Sequence, residues 1–411
     1  MTVRTPSAAE LDAADPLGRF TSRFETAPGV VAYFDGNSLG RPVAGVAQEL
    51  ARFVRQEWGT RLIRGWDESW MAWPQQLGDR LGEVALGAGA GQTVVADSTT
   101  VMLYKLVRAL ADAQVAADPR RTELVVDTDN FPTDRYIAEG IATERGMDLR
   151  WIEADPDTGV HAAQVADVVG ERTAVVLLSH VAYRSAFIAD GPGITDLVHR
   201  SGGMVLWDLS HTVGSVPVEL DAWGADAAVG CGYKYLNGGP GAPAFGYLAA
   251  RHHDTVRQPV QGWLGRQDPF EMAAGYLPAP GSRALVSGTP PVVSMVPLRM
   301  GVELVAEAGI AAVRAKSLEL TDFAWSVVDA WPDELGVRVA SPREHDLRGG
   351  HLTLGHPGFR AALPVLWERG VIPDFRAPDG LRVGLSPLST TFAEVEVGLA
   401  AVRAVLEELR R

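Results

Sequence analysis

Three short stretches of this chain have continuous apolar centres rich in Val and Leu: residues 123–127, 174–178 and 204–207. A strand wetted on one face alternates polar and apolar residues, because successive side chains point to opposite sides of a sheet. These stretches do not alternate. Both of their faces must therefore be covered, as in a parallel sheet held between layers of helices. Helical segments lie between them, such as residues 194–201 behind the breakers Gly191-Pro192-Gly193. Strand–helix–strand repetition through the middle of the chain predicts an α/β domain with a doubly wound, mostly parallel sheet.

The ends read differently. Residues 43–57, just after Pro42, have the pattern of a helix. From about residue 296 a long helix (296–331) leads into strand-like pieces (336–340 and 351–354), and a terminal helix spans 392–410. This predicts a smaller α+β domain packed on the first. The expected division is an N-terminal segment (1–60) lying with the small domain, a large α/β domain (61–295) and the small domain (296–411). With 46% hydrophobic and 21% charged residues the composition is that of a soluble globular protein. A net charge of −14 repels phosphate backbones and anionic lipid, so neither nucleic acid nor a membrane surface is an expected partner. No apolar run approaches the roughly 20 residues of a membrane span, and residues 1–15 lack a signal pattern. The one cysteine, Cys231, cannot form an internal disulfide, so the cytoplasm is the expected location.

The chemistry gathers around Gly232-Tyr233-Lys234-Tyr235-Leu236-Asn237-Gly238-Gly239-Pro240-Gly241. A lysine between aromatics and ahead of a glycine-rich turn suits a Schiff-base lysine, whose amine is freed for attack by desolvation. Taken alone it reads equally as a surface lysine beside a loop. About 26 residues earlier, Asp208 ends an apolar strand. Open α/β sheets bind ligands at that edge, and a carboxylate there can keep a pyridinium nitrogen protonated, as pyridoxal phosphate requires. Asp208 alone would also serve as a helix cap. Asp97-Ser98-Thr99-Thr100 precedes a helical stretch (101–110) and offers hydroxyls and free N–H groups to a phosphate, or else a simple N-cap. Phe131, in Asn130-Phe131-Pro132-Thr133-Asp134, could stack on a cofactor ring or fill the core. No metal is expected: His252-His253 reads as a solvated loop. Gly87-Ala88-Gly89-Ala90-Gly91 lacks the spacing of a dinucleotide site.

Together with Asp35-Gly36-Asn37-Ser38-Leu39-Gly40, Asp208-Leu209-Ser210-His211, Gln258-Pro259-Val260-Gln261-Gly262-Trp263, Gly288-Thr289-Pro290-Pro291 and Asp374-Phe375-Arg376-Ala377-Pro378, these motifs resemble the kynureninase family from about residue 33 to the C-terminus. The resemblance implies a fold type I pyridoxal-phosphate enzyme, with a large domain whose mostly parallel sheet is sandwiched by helices and a smaller α+β C-terminal domain. It implies a homodimer with shared active sites that hydrolyses the Cβ–Cγ bond of L-kynurenine, or of a 3-hydroxy or otherwise ring-substituted kynurenine, to an anthranilate and L-alanine. By that resemblance Lys234 carries the cofactor, Asp208 pairs with its pyridinium nitrogen and His211 sits beside it. Thr99, Thr100 and Tyr233 hold the phosphate, with Trp263 and Thr289 reaching in from the neighbouring subunit. Phe131 stacks on the ring, while Asp134 and Ser179 line it. Arg382 clamps the substrate α-carboxylate, Trp66 and Ser38 border the aryl ring, and Tyr233 is also the candidate acid/base for carbonyl hydration.

Three positions depart from the family pattern. Arg266 stands where His is expected, Ser389 where Tyr is expected and Ala182 where a polar residue is usual. They predict a pocket of altered width or polarity and a modified aryl ring, or else drift behind the pocket. An aminotransferase or another lyase on the same fold is the alternative activity. A cysteine desulfurase would use a mobile loop cysteine, whereas Cys231 lies in a strand-like run. A binding protein that has lost catalysis is opposed by the intact Lys234, Asp208 and Arg382.

Overall fold

The computed structural model of the chain describes residues 6–410. The first five residues of the expected N-terminal segment, and Arg411, lie outside them. In chain order the strands are β1 (Ala32–Phe34), β2 (Thr93–Ala96), β3 (Glu123–Asp127), β4 (Asp148–Ile152), β5 (Thr173–Ser179), β6 (Met204–Asp208), β7 (Ala227–Cys231), β8 (Ala244–Leu248), β9 (Arg338–Val339), β10 (His351–Gly355), β11 (Val371–Arg376) and β12 (Gly380–Gly384). Seven form one sheet in the order β2-β8-β7-β6-β5-β3-β4. Its pairs from β4 to β7 are parallel; β8 runs antiparallel to both β7 and β2.

The continuous apolar runs are explained by where alternate residues go. Leu124, Val126, Val175, Leu177 and Leu206 enter one buried cluster, which the helices Thr99–Ala117 and Pro132–Arg145 cover. Val125, Val176, Leu178, Val205 and Trp207 enter a second cluster on the opposite face, which includes Ile194 and Val198 of the helix Gly191–Arg200. With both faces dry, no position along these strands has to be polar. Each such side chain, fully buried, stabilises the fold by about 1.5–3 kcal/mol before entropy is charged against it.

The second sheet has the order β1-β11-β12-β10-β9 and its own core, which includes Leu352, Leu354, Leu381, Val383 and Phe392. Its edge strand β1 comes from near the N-terminus and runs parallel to β11. The helices Phe392–Leu409 and Phe359–Glu368 pack against it.

Several boundaries differ from the sequence expectation. The helix expected at 194–201 starts at Gly191: Asp190 caps it by accepting from the N–H of Gly193 (3.0 Å), and Pro192 sits in the first turn, where the missing N–H costs nothing. The single helix expected at 296–331 is two, Val292–Ala308 and Ile310–Asp329, broken at Gly309, whose φ of +79° no helix accepts. The segment expected as one helix over 43–57 begins at Val46, after Gly45 at φ +85°, and widens at Phe53–Trp58 into a turn of π type. The strand expected over 336–340 is only Arg338–Val339. Among the described residues no helix is long and apolar enough to cross a membrane.

Candidate active site

The carboxyl ends of β3, β5, β6 and β7 open toward one small pocket. It is lined by Thr99, Thr100, Phe131, Asp134, Ser179, Asp208, His211, Tyr233 and Lys234, with Thr133, Tyr183 and Ser210. Each arrives by a short path from the sheet. Asp208 is the last residue of β6, and Ser179 the last of β5. Phe131 and Asp134 begin the helix that follows β3. Thr99 and Thr100 open the helix that follows β2, where the Ser98 hydroxyl accepts from the Val101 N–H at 3.4 Å. The free N–H groups of that first turn, with two threonine hydroxyls beside them, suit an anion. Lys234 follows β7 within three residues.

Lys234 is buried, and its Nζ lies 2.9 Å from His211 Nε2 and 5.9 Å from the centre of the Phe131 ring. Burial drives the His211 imidazole well below its ordinary pKa, and the cations Lys234 and Arg382 push it further. It is therefore neutral, and Nε2 accepts from the lysine. Asp208 is buried, with Oδ1 accepting from the Ser210 N–H at 2.7 Å. Burial, and after it the neighbouring Asp208 and Asp127, raise Asp134 well above its ordinary pKa. The Tyr233 phenol is likewise raised by burial and then by Cys231, and stays neutral. Two polar atoms of the pocket, Asp134 Oδ2 and His211 Nδ1, are buried with no protein partner. A buried amine, a buried carboxyl group at the end of a strand, an aromatic face, a hydroxyl-rich helix start and unpaired polar atoms form a donor set that fits pyridoxal phosphate.

A second group lies beside the pocket. Arg382, on β12, is buried and donates from Nε to Asp374 (2.7 Å), from Nη1 to the Tyr183 carbonyl (2.8 Å) and from Nη2 to the Ser38 hydroxyl (2.7 Å). Tyr183 meets Phe131 edge-on at 5.6 Å, and so joins the two groups. Sequence reasoning missed Tyr183 and Asp374 as members of the site, although Asp374 stands inside a quoted motif. It also missed His351 of β10, whose ring lies 5.6 Å from His211.

Three expected residues are not brought to Lys234 within one chain. Trp66 and Thr289 face each other across an exposed apolar hollow with Phe53, Trp58, Leu62, Ile63 and Trp70. Trp263 is exposed and packs edge-on against Phe270. Of the departures, Arg266 is tied to Glu271 (2.9 Å) and to the Asp268 carbonyl (2.7 Å), Ser389 is buried with its hydroxyl unpaired, and Ala182 packs on the core of the large sheet. None of the three lines the Lys234 pocket. Cys231 is buried at the end of β7, its Sγ 3.8 Å from the Ser210 carbonyl. His252 bonds Asp226 (2.7 Å), and no metal-binding group of side chains occurs among the described residues.

Residues 313–402 match the family described as the kynureninase C-terminal domain. A kynureninase of Burkholderia pseudomallei strain 1106a is 39% identical over 97% of this chain and 95% of its own length. Among solved structures, a cysteine desulfurase from Thermococcus onnurineus superposes with a TM-score of 0.78 at 16% identity, covering 99% of this chain and 100% of that one. A C-DES mutant with glycine covalently linked to its PLP cofactor does so at 0.78 and 18% identity, covering 90% of this chain and 96% of that one. At such identities the likeness is one of fold.

Proposed function

The chain belongs to the kynureninase family and is a pyridoxal-phosphate enzyme, and on that premise we propose that it hydrolyses the Cβ–Cγ bond of L-kynurenine or a ring-substituted kynurenine, releasing L-alanine and the matching anthranilate. The observation that carries this reading is the joining of a buried amine, Lys234, to a buried carboxylate clamp, Arg382, through Phe131 and Tyr183.

Bound in the pocket, pyridoxal phosphate supplies an electron sink for charge that develops on the substrate α-carbon. The Asp208 carboxylate would hold the pyridinium proton, and the raised pKa of Asp134 beside it disfavours a second buried negative charge. The N–H groups and hydroxyls of Thr99 and Thr100 grip the phosphate. The Lys234 amine takes the proton from the substrate α-carbon, and His211 Nε2, accepting at 2.9 Å, holds that amine in place. Arg382 holds the α-carboxylate, with Ser38 at its side. Tyr233, neutral and so able to donate, serves the carbonyl oxygen when water adds at the γ-carbon. The apolar hollow around Trp66 suits the aryl ring.

In this reading the seven-stranded domain (61–295) holds the cofactor, while the small domain (296–411) and the N-terminal segment (1–60) bring the carboxylate clamp. A second copy covers the hollow and supplies Trp263 and Thr289 to the first copy's phosphate, making the enzyme a homodimer. The test is a product assay with no keto acid present, giving L-kynurenine and 3-hydroxy-L-kynurenine separately. Alanine should appear in equal amount with the aryl acid, and the ratio of rates reads the ring preference. Turnover that depends on an added keto acid would instead establish an aminotransferase.

A further inference from the structure

Arg382 is the meeting point of β12, β11, the turn after β1 and the segment after β5. A guanidinium has five N–H groups. Asp374 lies within 2.7 Å of Nε and 2.5 Å of Nη2, Ser38 takes the other N–H of Nη2 and the Tyr183 carbonyl takes one of Nη1, so one N–H of Nη1 is left for an arriving carboxylate. Two carboxylates already face it. Asp374 sits opposite Arg382 in the β11–β12 register and also accepts from Arg376 Nε at 2.8 Å, so two guanidiniums donate to it. Asp35, on the turn after β1, stands 4.0 Å from Arg382 Nη2, beyond hydrogen-bond reach, and its Oδ1 is buried without a partner.

Two arginines and two aspartates make a neutral cluster. A third carboxylate arriving on Arg382 makes it net negative in a place poor in water, where closely spaced like charges cannot all persist. The carboxylate with the fewest donors gives way. We infer that Asp35 takes up one proton from solvent when a carboxylate docks on Arg382, so that substrate binding is coupled to protonation of the turn after β1. This rests on the reading of Arg382 as the substrate clamp. Burial already lifts the Asp35 carboxyl to about 6; Asp374 adds to the lift, while Ser38, Arg382 and Arg376 oppose it. The other groups facing Asp35 are the phenols of Tyr33, on β1, and Tyr235, just after Lys234. Burial raises both, Tyr33 to about 12, so neither competes for the proton. Asp35 is thus a positioning residue. It offsets the charge of the clamp while the site is free and gives up its own charge when the ligand's arrives.

The probe is 3-benzoylpropanoate, which has the carboxylate and aryl ketone of the proposed substrate but no amine to react with the cofactor. Its binding to the holoenzyme is followed by calorimetry in two buffers of different ionisation heat. At about pH 7 uptake should approach one proton per bound probe, and affinity should fall by up to about tenfold per pH unit above that. Asp35→Asn should bind the probe with no buffer-dependent heat and a flat pH profile. Probe binding without proton uptake in the wild type, or uptake that survives in Asp35→Asn, overturns the inference and leaves the clamp standing. Failure of the probe to bind, or equal binding to Arg382→Ala, overturns the clamp and the inference with it.

Discussion

The pocket around Lys234 and the hollow around Trp66 are built on opposite terms. The first is polar and already assembled within one chain. Lys234, Asp208, His211 and Asp134 are all buried, and short connections from the sheet deliver them. The second is apolar and open: Ile63 is 75% exposed, Leu62 58% and Trp58 53%. Apolar surface of that extent on a folded chain marks a place where something else packs. On the proposed reading, the contrast means that one chain assembles the cofactor pocket but only begins the enclosure of the substrate. Trp66 and Thr289, which the family resemblance draws toward the site, lie on this unfinished side, and Trp263 is exposed beside Phe270.

Removing the amine tests the finished side and has the largest expected effect. Lys234→Ala should lower turnover by on the order of 10⁴-fold and abolish the visible absorbance of covalently held cofactor. The mutant should fold, because the Lys234 side chain bonds only His211 among the described residues, and its carbonyl's bond to the Asn237 N–H is kept. Turnover within tenfold of wild type would mean that the assembled pocket is not where the reaction occurs.

A charge on the unfinished side should leave the chain folded and disable it indirectly. Ile63 is almost free of the chain's own packing, so Ile63→Glu costs the monomer little. Burying an unpaired carboxylate between two copies costs several kcal/mol, which should weaken association by about 10²-fold or more. Light scattering should then report monomers at micromolar concentration. Activity should fall with dimer content and recover as protein concentration rises. A mutant that remains dimeric and fully active would show that the hollow is not an interface, and the contrast between the two regions would then need another cause.

The same contrast governs what could be read from the sequence. The strands of the large sheet were legible because both faces are dry, which leaves uninterrupted Val and Leu where a half-wet strand would alternate. Lys234 and Asp208 were legible because neighbouring parallel strands deliver them to one edge at a fixed spacing. The partnership of Arg382 with Ser38 was not, since 344 residues separate them and only the packing of β1 beside β11 and β12 closes the distance. The role of Asp374 as an anchor depends on register, which places it opposite Arg382. Helix ends were misjudged where glycine and proline act by position: Pro192 opens a helix, while Gly309 divides one. Trp66 could be singled out, but its surroundings could not, because the hollow gathers residues from two distant stretches, 53–70 and 289–294.

The smallest expected effect concerns the back wall of the finished pocket. The structural neighbours include a cysteine desulfurase, and Cys231 is the sole thiol of this chain. Burial raises that thiol above its ordinary pKa, chiefly by desolvation, which leaves it protonated and a poor nucleophile. Its Sγ faces the Ser210 carbonyl at 3.8 Å, behind the pocket lining. Cys231→Ala should therefore cost on the order of 1 kcal/mol in unfolding free energy, as for the loss of a small buried group. Hydrolysis of kynurenine should stay within a few fold, since the thiol reaches the pocket only through the Tyr233 phenol, which burial alone still keeps raised. Thermal unfolding and the product assay, run side by side, separate the two effects. A large loss of turnover at unchanged stability would give the thiol a chemical role and bring the finished pocket closer to its desulfurase neighbours than its geometry indicates.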